Sequence, residues 1–394
     1  MNFYPLRNFL IALAALLLLN ACTTHDDLPT HVLPEAEVVL EQLTRANDYW
    51  QSEHPEPGWA FWEHAAYHTG NMEAYFVTGN QDYLDYSLRW GERNGWMGAK
   101  SDQPSEWKYS YGETDDFVLF GDWQICFQTY IDLYEITGDR EKIARAIEVM
   151  EYQMATDADD YWWWADGLYM VMPVMTKLYQ VTGDELYLEK LHEYYTYAKS
   201  IMYDEETGLF FRDAKYVYPE HKSLNGHKDF WARGDGWVFA GLAKVLADLP
   251  EDHRHRDEYL ADYQKMAATL ADAQQPGGYW TRSLLDPEHA PGYETSGTAF
   301  FTYGYLWGIN NGLLDQNTYL PVALNAWQYL SDTALQGSGK IGYIQPIGER
   351  AIPGQVVDAE STANFGVGAF LLAASEMYRL VQNAKVELKG LARE

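Results

Sequence analysis

The chain is poor in cysteine, in positive charge and in long apolar runs, and each shortage removes a class of protein. Its 394 residues include 2 cysteines, Cys22 and Cys126. Cys22 sits in a processing segment, so Cys126 has no intramolecular disulfide partner even in an oxidising compartment, and it reads as a small buried apolar side chain. Two cysteines without clustered histidine pairs leave no zinc site of the usual spacing, and no metal or other cofactor is called for. Lys and Arg together number 28 against 58 Asp and Glu, a formal charge of −30. Nucleic acid, which needs a basic surface, is excluded as a partner. So is a broad electrostatic funnel for an anionic glycan, whose acid groups would have to be gripped locally by a few arginines. The only long apolar run, Phe9 to Leu19, falls short of the roughly 20 residues that cross a bilayer.

That run follows Arg7 and ends in Leu19-Asn20-Ala21-Cys22. The order of basic residue, apolar stretch, small residue and cysteine resembles a bacterial lipoprotein signal. It implies a signal peptide over residues 1–21, cleavage before Cys22, and lipid on that cysteine. The protein is thus expected to be exported and anchored to the cell envelope through a membrane-embedded lipid, with residues 22–32 as a polar tether.

Among what is present, aromatic residues make up 15% of the chain, more than a plain helical core requires. Flat rings with polar edges suit sugar faces, although any single one fills a core just as well. A short phrase recurs: Thr78-Gly79-Asn80, Thr137-Gly138-Asp139 and Thr182-Gly183-Asp184. Each reads as one helix stopping on a left-handed glycine and the next starting on an Asn or Asp cap. Apolar residues flank the phrases at helical spacing, as with Met170, Val174, Leu178 and Val181. Repeated hairpins suit an open solenoid or a closed toroid. Uneven spacing and long connections at 157–167 and 277–297 favour the closed form, since such loops gathered at one end build a site. The expected fold is all-α, a single (α/α)6 barrel over residues 33–392, with short strand-like pieces at Leu209–Arg212 and Ile341–Gln345 in its loops.

Two aspartates stand out. Asp122 lies one turn before the inward stripe Cys126, Tyr130, Leu133, and Asp166 precedes Met170 and Val174 in the same four-residue steps, directly after Trp162-Trp163-Trp164. In a barrel of inner helices both would reach one mouth. An aspartate at a helix start is also a common cap, worth about 1 kcal/mol, and capping alone explains either residue. Their paired placement beside tryptophans tilts the reading towards glycoside chemistry, which uses two carboxylates. A helix N-terminus favours the ionised form and handicaps a proton donor, so a donor here requires burial to prevail. In Phe230-Trp231-Ala232-Arg233-Gly234-Asp235-Gly236-Trp237, Arg233 could grip a carboxylate and Trp237 stack on a ring, or the segment could be a tight turn with a structural ion pair and a core indole.

The stretch from Phe230 to Leu242 resembles the unsaturated glycuronyl hydrolases of glycoside hydrolase family 105, which is related to family 88. Trp164 to Met170 looks like that family's catalytic aspartate segment, and Asp122 to Tyr134 like the one holding its second active-site aspartate. Pro291 to Thr298, Trp307 to Gly312, Gly342 to Pro346 and Glu360 to Phe370 follow in the expected order. The resemblance implies the (α/α)6 barrel, no metal, and a substrate that is an unsaturated oligosaccharide left by a polysaccharide lyase, derived from ulvan, rhamnogalacturonan or a similar polymer. It implies that Asp166 protonates C4 of the terminal 4,5-unsaturated uronate and then activates the water that adds at C5. Asp122 would hold ring hydroxyls and help keep Asp166 protonated, while Arg233 and Trp237 would contact substrate. Three departures stand beside it. Asp235 replaces the usual Asn and would add negative charge next to Arg233; Trp123 replaces an acid that often follows the first aspartate; and Arg212 lies where some members use a histidine. Trp62 and Tyr67 are candidate walls. The competing expectations are an ordinary inverting glycosidase with Asp122 as base and Asp166 as acid, and a non-catalytic glycan-binding lipoprotein.

Overall fold

The structure, a computed structural model, describes residues 32–391, with side chains to residue 385. The expected signal peptide, Cys22 and all of the expected tether except Val32 lie outside the described residues. Val32 and Leu33, all that is described of the unit Met1–Leu33, are irregular; Pro34–Glu394 forms a second, compact unit.

That unit alternates outer and inner helices. Helix α1 (Ala36–Glu53) is followed by α2 (Trp62–Thr78), α3 (Gln81–Asn94), a short α4 (Gly121–Gln124) running into α5 (Cys126–Thr137), and α6 (Glu141–Met154). Next come α7 (Ala165–Thr182), α8 (Leu186–Met202), α9 (Ala232–Asp248), α10 (Arg256–Ala273), α11 (Thr295–Asn310), α12 (Gln316–Tyr329) and α13 (Asn364–Leu391). Helices α2, α4–α5, α7, α9, α11 and α13 each pack on the next, and α13 returns to α2 to close the ring. Helices α3, α6, α8, α10 and α12 lie outside the inner helices they follow, and α1 packs on α13 and α2. This is the expected (α/α)6 barrel. The two strand-like pieces take part only in isolated bridges, Tyr203 with Phe210 and Leu335 with Ile341, and among the described residues no strand forms.

Side-chain patterning separates the two rings. The inner helix α11 is buried at every position from Thr295 to Ile309, as a helix surrounded by protein must be. The outer helix α3 buries Tyr83, Leu84, Tyr86, Ser87 and Trp90, a one-sided stripe at 3.6-residue spacing. Closure between α2 and α13 depends on glycine: a Cβ on Gly70 would strike the carbonyl oxygen of Gly368, and one on Gly368 that of Ala66.

The repeated phrase behaves as its chemistry dictates. Gly79, Gly138 and Gly183 end α2, α5 and α7 with φ of 66°, 71° and 73°, where a side chain is strained. Each preceding threonine returns its hydroxyl to the carbonyl four residues back, and Asn80, Asp139 and Asp184 each accept the backbone N–H two residues ahead. Inside α7, Pro173 cannot donate to the Tyr169 carbonyl; Gln128 of α5 does so instead, at 2.8 Å. That bond ties α5, which continues from α4 and its Asp122, to α7, which carries Asp166.

Candidate active site

The N-termini of α2, α4 and α7 open on a cavity of about 430 Å³ lined by Trp62, Asp122, Trp163, Trp164, Asp166 and Arg212, and by Tyr111, Lys215 and Ile347–Glu349 from loops. Asp122 and Asp166 are the second residues of their helices, and neither is a cap: those positions belong to Phe120 and Trp164, with no side-chain capping bond. The cap explanation therefore fails for both. Asp122 is 6% and Asp166 9% exposed.

Backbone pairing delivers Arg212 to this mouth. Ala165 N–H donates to the Arg212 carbonyl at 2.7 Å, and Trp164 bridges Asp213. Arg212 Nε then lies 3.5 Å from Asp166 Oδ2, and its guanidinium carbon is 5.8 Å from the centre of the Trp163 ring. Arg212 Nε and Asp166 Oδ2 are both buried without a hydrogen bond.

Burial, followed by the charge of Asp166, pushes Asp122 well above the usual carboxylate range. Burial also raises Asp166, although Arg212 and Arg233 pull it back down. At Asp166 desolvation thus outweighs the pull of the two guanidinium groups, which favours a proton donor. The pair resists carrying two negative charges at once.

Of the other expected contacts, Trp62 and Arg212 are on the wall, and four residues are in the packed interior. Arg233 is 1% exposed; its Nη1 and Nη2 donate to the carbonyls of Gln345 (2.7 Å) and Pro346 (3.0 Å), and Trp231 and Phe365 sandwich it at 4.6 and 4.7 Å. It pins the loop that continues into Ile347–Glu349. Trp237 is fully buried, 4.4 Å from Phe300 and 4.9 Å from Tyr169 between ring centres. Tyr67 donates to Asn47 at 2.6 Å behind the wall. Asp235 does not pair with Arg233: its Oδ1 accepts from Phe210 N–H at 2.8 Å, and burial drives its acid far up. Burial thus opposes the extra negative charge expected beside Arg233 and favours the protonated acid, close in shape and polarity to the asparagine it replaces.

Tyr111, Lys215 and Glu349 were not singled out by sequence, because irregular loops carry no periodicity to mark a facing side chain. The structure also gathers His192, His255 and Glu258, whose ligand atoms lie within 4.8 Å of one another. They belong to the outer ring, and Glu258 is already paired with Lys199 at 2.9 Å. None of the three lines the cavity.

The profile of glycosyl hydrolase family 88 matches residues 36–381. An unsaturated 3S-rhamnoglycuronyl hydrolase of Formosa agariphila is 33% identical over 343 residues, covering 84% of this chain and 88% of its own. A solved family 88 glycosyl hydrolase from Bacteroides vulgatus is 61% identical, with a TM-score of 0.86 over 88% of this chain and 99% of its own. A solved chain named a polysaccharide lyase is 67% identical, with a TM-score of 0.87 over 88% and 98%. The protein belongs to glycosyl hydrolase family 88.

Proposed function

We propose that the enzyme releases the 4,5-unsaturated uronate from the non-reducing end of lyase-generated oligosaccharides by hydrating its double bond. Asp166 gives its proton to C4, and the positive charge that develops at C5 is shared with the ring oxygen. A water adds its oxygen to C5 and returns a proton to the Asp166 carboxylate. The C5 hemiketal then breaks its bond to the ring oxygen, leaving a ketone at C5 and a hemiacetal at C1 that expels the shortened oligosaccharide. Asp122 positions ring hydroxyls, and Trp62 and Trp163 offer apolar faces to the sugar.

One observation carries this reading: Asp166 Oδ2 is buried and free of hydrogen bonds in a walled cavity, beside a second acid that burial also pushes towards its protonated form. An inverting glycosidase needs an ionised base, and burial pushes Asp122, the candidate for that role, towards its protonated form. The Formosa relative acts on a rhamnose-linked uronyl substrate by its name, which favours an unsaturated uronate attached to rhamnose, as in ulvan or rhamnogalacturonan fragments. The relative named a lyase suggests a second reading, β-elimination, which creates the conjugated double bond instead of consuming it.

The sign of the absorbance change separates them. Incubation with lyase-digested polysaccharides is expected to lower the conjugated-uronate absorbance while a keto-uronate mass appears. A rise in absorbance on intact polymer would establish the lyase, and cleavage of saturated oligosaccharides without any change would establish the inverting glycosidase. Binding without product over hours would leave only a glycan-binding role. The proposed setting is the cell envelope, through lipid on Cys22. Mass spectrometry of the mature N-terminal peptide should show an acylated cysteine, and Cys22→Ser should release the protein from membranes.

A further inference from the structure

Arg212 stands among three carboxylates. Its Nη1 donates to Asp213 Oδ2 at 2.6 Å and lies 3.6 Å from Glu349 Oε2, while its Nε approaches Asp166 Oδ2 only to 3.5 Å. Glu349 is itself fixed: Tyr216 donates its hydroxyl to Oε1 at 2.5 Å, and Lys215 Nζ is 3.4 Å from Oε2. It reaches this place because Arg233 holds the carbonyls of Gln345 and Pro346, and because Gln345 N–H donates to the buried Glu294 at 3.1 Å.

Left alone, a guanidinium this close to a carboxylate would turn to meet it with two parallel bonds. A bound arginine would then hold Asp166 ionised and end its use as an acid. We propose that Glu349 is a positioning residue: with Asp213 it draws the Arg212 head away from Asp166, so that the donor oxygen stays free and keeps its proton. This rests on the hydration reading for its consequence in turnover, but not for its electrostatics.

Charged groups face Asp166 from several elements. Asp122 faces it from α4, Arg233 from the start of α9, and Arg212 and Asp213 from the loop after α8. Lys215 and Glu349 stand behind Arg212. Of these, Arg212 is the cation nearest in direct geometry, and Glu349 is the partner that comes from a separate loop and so can be removed alone. Tyr216 and the two cations hold Glu349 below the usual carboxylate range, so it remains an anion while the enzyme works.

The test is Glu349→Gln, read in two ways. Without substrate, carbon-13 NMR titration of the Asp166 carboxyl, assigned by its loss in Asp166→Asn, should show its midpoint about one pH unit lower than in the parent. With substrate, the alkaline limb of kcat/KM should move towards acid by the same amount. In an Arg212→Gln background, Glu349→Gln should then produce no further movement, because the intermediary is gone; an equal movement there would show a direct charge effect and overturn the positioning role. Arg212→Lys, which keeps the charge but cannot make the two-bond contact, serves if the Gln variant does not fold, with the same expected loss of coupling. Glu349→Asp should recover part of the parent profile. A raised KM with both midpoints unmoved would make Glu349 a substrate contact and overturn the proposal. A shifted NMR midpoint in an enzyme that does not hydrate unsaturated uronates would instead sink the function while leaving this electrostatic arrangement standing.

Discussion

Acidic and amide side chains begin helices in both rings of this barrel, with opposite fates. At the start of the outer helices, Asn80, Asp139 and Asp184 accept backbone N–H groups at 3.0–3.1 Å and face water. At the start of the inner helices, Asp122 and Asp166 cap nothing, are buried, and are held towards their protonated forms. Towards the C-terminal ends of the inner helices, several charged groups are paired: Lys177 with Asp132 at 2.5 Å, and Arg379 with Glu73 and Glu376 at 2.6 Å each. Acids with partners maintain the fold. Acids that are buried without them are a standing cost, and they cluster where chemistry is wanted.

The largest contrast should come from one substitution at each end. Asp166→Asn keeps the shape and removes the proton, so turnover is expected to fall by about 10²–10⁴, with thermal stability equal to or above that of the parent. Absorbance loss on an unsaturated oligosaccharide measures the first and a melting curve the second. Parent-like turnover would remove Asp166 from its role. At the opposite end, Lys177→Met leaves Asp132 buried beside no cation within bonding reach. It should lower unfolding free energy by about 3 kcal/mol in denaturant titration, while turnover per folded molecule stays the same. A variant that lost turnover and kept its stability would erase the distinction between the two ends.

Much of this was legible in the sequence, for a local reason. The Thr-Gly-Asp phrase carries its own hydrogen bonds within a few residues, so the hairpins, and from them the barrel, follow without tertiary knowledge. Asp122 and Asp166 were legible because inward stripes extend one turn back to them. Glu349 and Lys215 were not: Glu349 reaches the cavity through the remote anchoring of Gln345 and Pro346, and Lys215 through Asp213, which bridges Trp164. Arg233 was legible as important but not in what it binds, because a guanidinium fits a ligand carboxylate and a pair of backbone carbonyls equally well, and only the fold decides which is near. Trp237 fails for the same reason, its ring meeting Tyr169 and Phe300 rather than a sugar. The His192, His255 and Glu258 cluster joins two separate outer helices, and spacing along the chain cannot show it.

Smaller effects sharpen the comparison among the aspartates themselves. Asp139→Ala removes the side-chain acceptor of the Glu141 N–H at the start of α6. Its contact with Lys142 at 2.7 Å adds little, because Asp139 is half exposed. Melting temperature should drop modestly, with activity intact. Asp235 provides the finest test, since it is fully buried like the active-site acids yet lies off the cavity wall. Its folded pKa is raised by burial, so the stability its protonated form contributes is complete below the unfolded carboxylate value, about 3.9. That stability is lost as pH rises through the folded value. Asp235→Asn has no such titration. The two proteins should therefore unfold alike in acid, with the variant gaining ground as pH climbs and turnover unchanged where both are folded. If instead the parent were the more stable at alkaline pH, the carboxylate would have to be ionised and paired in the fold, and the buried, uncharged acid inferred at this position would be wrong.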